Sequence, residues 1–309
     1  MKEIKLFSPA TVANVSCGFD VLGFCLDPIG DEMIIRKTKT KGVRITKIEG
    51  QDLPLENKKN VAGVAAEALL KEVTSDCGFE IEIYKGIKAG SGIGSSAASA
   101  AGAVFGINEL LDRPFTRKEL IRFAMIGEVL ASGTAHADNV SPALLGGFTL
   151  VRSNQTVDVI ALPTPKELYA TIIHPKIELK TADSRSVLKR QITLNKAIEQ
   201  WGNLAAFVSA LHTNDYDLIS RSLVDVIIEP ERSILIPYFN ELKKAALDHG
   251  ALGSGISGSG PSIYALSRGI ETAQRVERVM GEVFHPLNID FDTYVSKINT
   301  QGIRILEQK

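Results

Sequence analysis

The sequence has no surplus of either charge: 35 Lys and Arg stand against 36 Asp and Glu in 309 residues. A nucleic-acid backbone or an anionic bilayer would find no electrostatic footprint on it, so neither nucleic acid nor membrane is an expected partner. Cysteine is scarce. Cys17, Cys25 and Cys77 have neither zinc-site spacing nor the even count of a disulfide framework, which points to a reducing compartment. Long apolar runs are missing as well. The longest small-and-apolar stretch, Ala97 to Ile107, is interrupted by Ser99, Gly102 and Gly106 and falls short of the ~20 residues that span a bilayer. The first residues lack a basic patch followed by an apolar stretch of leader length, so no export signal is expected and the cytoplasm is the expected location.

The remaining composition, 44% hydrophobic and 23% charged, excludes disorder and collagen-like repeats. Single cores stop growing near ~250 to 300 residues, so two domains are expected. The stretch from Asn154 to Lys166, with Pro163 and Pro165, reads as the crossing. That gives a first domain over 1–155 and a second over 156–309, with the last strand able to pack back on the first half.

Periodicity places the elements. "MIIRKT" and "GVRITKIEG" alternate like paired strands, and "KNVAGVAAEALLKEV" has helical spacing. "FEIEIYKGI" reads as a strand running into "KAGSGIGSSAASAAGAVFGINELL", a glycine loop and then a helix. A helix from Arg117 to Ser132 and the strand "GGFTLVRS" follow. The second half offers the strand "LYATIIHP", helices over Asn195 to His212 and Asp217 to Ile227, and a helix from about Tyr238 ending at Gly250. A glycine-serine loop, the strand "SIYAL", a helix over Glu271 to Phe284 and a last strand "FDTYVSKI" complete it. Helices do not alternate strictly with strands, so the class is α+β and not a doubly wound parallel sheet.

The sharpest chemical feature is "GSGIGSS", Gly90 to Ser96. Glycines let backbone N–H groups converge, and the helix start adds unpaired donors and partial positive charge, so the segment fits an anion, most simply a phosphate. A tight glycine-rich turn has the same composition. Ser95 stands where a Walker A loop needs lysine, and Gly90, Gly92 and Gly94 alternate where a dinucleotide fingerprint needs a different spacing. No G-x-S-x-G elbow supplies an esterase nucleophile. Glu128 falls on the apolar side of its helix, opposite Lys118 and Arg122, and a carboxylate there must be paired, protonated or metal-bound. Ser96 and Glu128 together offer the sparse oxygen set that magnesium accepts, while an arginine partner would serve Glu128 equally well. "HADN", His136 to Asn139, can hold a polar substrate or be a solvated turn. "GSGISGSGP", Gly253 to Pro261, can offer N–H groups to a second anion or be a hairpin connection.

Together and in this order, "SPATVANVSCGFDVLG", "KAGSGIGSSAASAAG" and "GISGSGPSIYAL" resemble the three motifs of the GHMP kinases, small-molecule kinases named for galactose, homoserine, mevalonate and phosphomevalonate. "VANVSCGFD", "KNVAG", "GEVLASGTAHADN" and "IIEPER" are similar to the homoserine kinase branch. The resemblance spans nearly the whole chain. It implies a GHMP kinase fold, with an N-terminal half like ribosomal protein S5 domain 2 and a ferredoxin-like C-terminal half. It also implies transfer of the γ-phosphoryl of ATP to the side-chain hydroxyl of L-homoserine in threonine biosynthesis, and a homodimer.

By the same resemblance Gly90, Ser91, Gly92, Ile93, Gly94, Ser95 and Ser96 would wrap the triphosphate, with Lys88 beside them. Ser96 and Glu128 would hold Mg2+, and Asn60, Val61 and Lys85 would lie near base and ribose. Asn14, Asp20, His136, Asp138, Arg185, Arg232 and Gly258 would surround homoserine, and Asn139 would stand next to the reacting phosphoryl. A zwitterion suits that set: guanidinium for its carboxylate, Asp20, Asp138 and Asn14 for its ammonium. Mevalonate and sugars have no ammonium to occupy the two aspartates. Asp138, pairing an ammonium, would keep a low pKa and serve poorly as a base.

Overall fold

A computed structural model describes residues 2–309 apart from 178, 180 and 288. Strand β1 (Glu3–Ala13) pairs antiparallel with the long β2 (Leu22–Thr38). After β3 (Val43–Glu49) come helix α1 (Val61–Leu70), β4 (Gly78–Tyr84), α2 (Ser95–Leu110) and α3 (Arg117–Ser132). The short α4 (Val140–Leu145) and the hairpin β5 (Phe148–Ser153) and β6 (Asp158–Leu162) follow.

The second half starts with β7 (Leu168–Pro175), α5 (Thr181–Ser186), the long α6 (Leu194–Thr213) and α7 (Tyr216–Ser222). Then come α8 (Glu229–Arg232), α9 (Phe239–Asp248), β8 (Ala251–Ile256) and β9 (Ile263–Arg268). Helix α10 (Ile270–Phe284), β10 (Phe291–Lys297) and β11 (Arg304–Gln308) end it.

The first sheet runs β11-β1-β2-β4-β3, with β5 on β2 and β6 beyond it; the second runs β10-β7-β9-β8. The strands of "MIIRKT" and "GVRITKIEG" are therefore not partners. β4 lies between them, antiparallel to β2 and parallel to β3. The reason is burial: β4 hides Phe79, Ile81 and Ile83 and belongs inside the sheet, whereas β3 hides Ile45 alone and suits an edge. The crossover through α1 supplies the parallel connection.

Three more expectations shift. The first sheet reaches Leu162 through β6, so the chain passes between sheets at 163–167, later than 155/156. "FDTYVSKI" is β10, an edge strand of the second sheet beside β7. The strand that returns to the first half is β11, next to β1. Arg117 fixes that return, its Nη1 donating to the carbonyls of Leu144 (2.8 Å) and Gln301 (2.7 Å) and its Nη2 to that of Ile303 (3.0 Å). The helix expected to Ile227 ends at Ser222, because the Asp225 carboxylate accepts the N–H groups of Ile227, Ile228 and Glu229 at 2.9 to 3.0 Å and starts α8 instead.

Two helices position the site. α2 is buried almost all round, and a Cβ on Gly106 would lie 2.3 Å from Ile35 Cδ1, so the helix sits close against the sheet and its N-terminus is held rigidly. α3 begins with a reciprocal cap between Thr116 and Glu119 and carries Glu128 inward on the face of Leu120, Ile121 and Ala124. Among the described residues no helix is long and apolar enough to cross a membrane.

Candidate active site

A cavity of about 1050 Å³ lies between the halves, with the glycine loop along one end. Gly90, Gly92 and Gly94 have φ of +74°, +80° and +72°, alternating with residues of ordinary φ. That alternation turns successive N–H groups toward one point, the geometry of an anion nest. The loop carbonyls turn the other way: Ser257 Oγ donates to Gly92 O (2.8 Å), Ser262 Oγ to Ser91 O (2.6 Å) and Thr11 N–H to Ile93 O (3.1 Å). The N–H groups of Gly92 to Ala97 make no hydrogen bond within the described residues. Donors concentrated at the start of a buried helix fit a phosphate chain.

Beneath this turn the Lys85 ammonium pairs with Asp31 and donates to Ser95 O and Ser99 Oγ, each at 3.0 Å. The Asp31 carboxylate also accepts from Gly86 and Ile87 N–H at 3.1 and 3.2 Å. Both charged ends are out of solvent, so burial raises the Asp31 carboxyl and lowers the Lys85 ammonium even as each stabilises the other. Lys85 lines the cavity, and its ammonium supports the loop from below. Asn60 likewise spends its carboxamide on the α1 start, accepting from Ala62 N–H at 3.0 Å and donating to Pro54 O at 2.9 Å.

Glu128 is 7% exposed. Its Oε2 accepts from Ser96 Oγ at 3.1 Å, its Oε1 has no partner among the described residues, and burial pushes its carboxyl up to about 7. Among the described residues no arginine meets it, and the ion pair left open by the sequence is not formed there. An orphaned carboxylate oxygen facing a serine hydroxyl beside a phosphate nest is a fitting pair of hard ligands for a divalent cation that keeps waters. Asn139, at the N-terminus of α4, lies against the loop: a Cβ on Gly94 would come 3.1 Å from its Oδ1.

The other end of the cavity is ionic. Arg185 donates to Asp20 at 3.1 and 3.4 Å and to His136 Nε2 at 3.0 Å. Arg232, 3% exposed, donates through Nε to Ser184 O (3.0 Å) and through Nη1 to Gly258 O (3.1 Å). Its guanidinium lies 4.8 Å from the Phe19 ring centre, and burial, helped by Arg185, brings it down to about 10. Burial also lowers His136.

In the ligand-free protein, burial raises Asp138 to about 7, with Asp20 and Glu128 nearby adding to the rise; Arg185 is engaged by Asp20, and among the described residues no cation forms an ion pair with Asp138.

Every expected site residue lines this cavity except Ile93, whose side chain packs in the core between the halves. Two do other work there. Asn14 has both ends of its carboxamide on backbone, donating to Gly258 O (2.7 Å) and accepting from Asp20 N–H (2.8 Å), so it shapes the pocket. The glycine-serine loop of the second half is the turn of the β8–β9 hairpin. Its Ser257, Gly258 and Gly260 N–H groups go to Ser262, Ala13 and Ser257 carbonyls, and none of these three is left for an anion. Sequence reasoning missed Thr11, Phe19, Asp31 and the cavity-lining His174 and Lys176. Thr11 and Phe19 flank Asn14 inside a segment already singled out; His174 and Lys176 had no local signal.

Residues 60–147 match the family described as GHMP kinases N terminal domain, and residues 207–286 match GHMP kinases C terminal. The chain is 46% identical to a homoserine kinase of Chlorobium phaeobacteroides (strain BS1), across 99% of this chain and 100% of that protein. Among solved structures it is similar to homoserine kinase from Cytophaga hutchinsonii, with TM-score 0.95 and 52% identity over 99% of this chain and 98% of that one. A mevalonate kinase of L. major, in complex with R-mevalonate, shares the fold at TM-score 0.71 but only 16% identity over 95% of this chain and 96% of that one, a likeness of architecture alone.

Proposed function

The chain belongs to the GHMP kinases, in their homoserine kinase branch, and is an ATP-dependent kinase of L-homoserine; we propose that the nest seats the triphosphate and the ionic end of the same cavity seats the amino acid. The product is O-phospho-L-homoserine, in threonine biosynthesis. One observation supports the site assignment: unspent loop N–H groups and a half-buried Asp20-Arg185-His136 cluster share one cavity, and Asn139 touches the loop while Asp138 beside it lines the same cavity within electrostatic reach of Asp20 and Arg185.

Phosphoryl transfer needs alignment and charge neutralisation more than covalent chemistry. The side-chain oxygen of homoserine forms a bond to the γ-phosphorus, the bond to the β–γ bridging oxygen breaks, ADP leaves with that electron pair, and the hydroxyl proton passes to a phosphoryl oxygen. Loop N–H groups hold the β- and γ-phosphates, and Asn139 Nδ2 donates to the moving group. Ser96 and Glu128 would hold Mg2+, which when bound supplies neutralising charge to the phosphates. Asp138 takes the substrate ammonium, which would lower its carboxyl again and leave it no role as a base. Arg232 takes the carboxylate.

Two further assignments belong to this reading. The enzyme works in the cytoplasm. It works as a homodimer, a reading supported by Leu194, Ile198 and Trp201, which form an uncovered apolar stripe on α6 at 68%, 49% and 55% exposure; sedimentation at micromolar concentration tests it. The test of function is ADP release with Mg2+ and ATP against L-homoserine, L-serine, mevalonate and galactose. Turnover with L-homoserine is expected; turnover with another alcohol and none with L-homoserine overturns the reading.

A further inference from the structure

Thr11 lies within β1, is fully buried and meets two parts of the site at once. Its N–H donates to Ile93 O at 3.1 Å, and its hydroxyl donates to Asn139 Oδ1 at 2.8 Å. A Cβ added to Gly94 would fall 2.1 Å from Thr11 Oγ1 and 3.1 Å from Asn139 Oδ1, so hydroxyl, carboxamide and loop backbone pack directly on one another.

The two ends of a carboxamide have nearly the same shape, and only hydrogen bonding distinguishes them. Asn139 caps α4 without a side-chain bond to it, so the helix does not hold the amide. Among the described residues the Thr11 hydroxyl is what holds it. The hydroxyl, which is able to accept as well, here gives its proton to Oδ1 and makes no other hydrogen bond among the described residues, which leaves Nδ2 on the opposite side of the carboxamide.

We propose that Thr11 is a positioning residue for phosphoryl transfer, holding the Asn139 carboxamide so that its NH2 group faces the phosphoryl in flight. The inference rests on the kinase reading above and adds to it. Loss of the hydroxyl lets the amide rotate, presenting oxygen to a negatively charged group in part of the population, while the loop that binds nucleotide keeps its own donors.

Steady-state kinetics of Thr11→Val and Thr11→Ser test this. Thr11→Val preserves shape without the hydroxyl and should lower kcat about 10- to 100-fold, less than the roughly 100- to 1000-fold of deleting an oriented donor because the amide is only disoriented, with KM for ATP and L-homoserine within about threefold. Thr11→Ser restores the donor and should keep kcat within about threefold of the original. In an Asn139→Ala background, Thr11→Val should change kcat by less than about twofold, because the group it positions is gone. A kcat for Thr11→Val within twofold of the parent, a rise in KM at intact kcat, or a full additional loss on top of Asn139→Ala overturns the proposal. If Thr11→Val does not fold, Thr11→Ala is read by the same three comparisons. Absence of homoserine-dependent ADP release from the unmodified protein overturns the kinase reading, and a normal parent with an unaffected Thr11→Val overturns this inference alone.

Discussion

Replacing Glu128 by glutamine should stabilise the ligand-free protein at alkaline pH. The carboxyl is buried, its Oε1 lacks a partner, and its affinity for a proton rises from the ordinary 4.5 to about 7. Between those values the native protein holds a proton that the unfolded chain has released, so stability falls as pH rises through the window. Each tenfold change in proton affinity is about 1.4 kcal/mol, which makes the ionised Glu128 cost under about 1 kcal/mol at pH 5 and about 3 kcal/mol at pH 8. Glutamine has nearly the same shape, keeps an acceptor for Ser96 Oγ and never ionises. Thermal melts in a chelator should therefore show Glu128→Gln ahead by about 5 °C at pH 8 and nearly level at pH 5. The same variant should lose turnover, since it removes the charge expected to hold the cation. A variant less stable than the parent at pH 8, or a gap that does not change with pH, would refute an unpaired buried carboxylate.

Three other variants probe the rest of the site. Lys85→Met strips the buried Asp31 of its cation, and denaturant titration should show a loss of about 3 to 5 kcal/mol; a loss below about 1 kcal/mol would mean the pair supports nothing. Asp138→Asn should raise KM for L-homoserine about 10- to 100-fold with kcat little changed, whereas a collapsed kcat at constant KM would make Asp138 the proton acceptor. Arg232→Ala should raise KM for L-homoserine by a similar ~10 to 100-fold and leave affinity for an ATP analogue nearly intact, measured by calorimetry; equal damage to nucleotide binding would misplace Arg232.

The elements that build the nucleotide end were legible because their signals are local. Glycines at every second position, a helix of small residues after them and an acid on an apolar helix face are patterns a short window contains. β8 was not, because "ALGSGI" lacks β-branched alternation and becomes a strand through its neighbours: a Cβ on Gly253 would sit 2.4 Å from Leu223 Cβ, so α7 packs on its bare backbone. β11 was missed for a similar reason, being an edge strand defined by β1. Residue types grouped Asn14, Gly258 and Lys85 with the residues whose cavity they line, but did not show where each polar group spends its hydrogen bonds. Thr11 shows the limit most clearly, since its partner is 128 positions away.

The backbone seam where Ser91 and Gly92 meet Ser257, Gly258 and Ser262 bears on how new specificities could be engineered. A chimera that joined this N-terminal portion to a foreign C-terminal portion at a breakpoint near residue 165 would have to reproduce those contacts, because added methyl groups at Gly92 or Gly258 would strike carbonyls at 2.6 to 2.8 Å. Altered alcohol preference is better sought by exchanging side chains within the pocket than by transplanting whole segments.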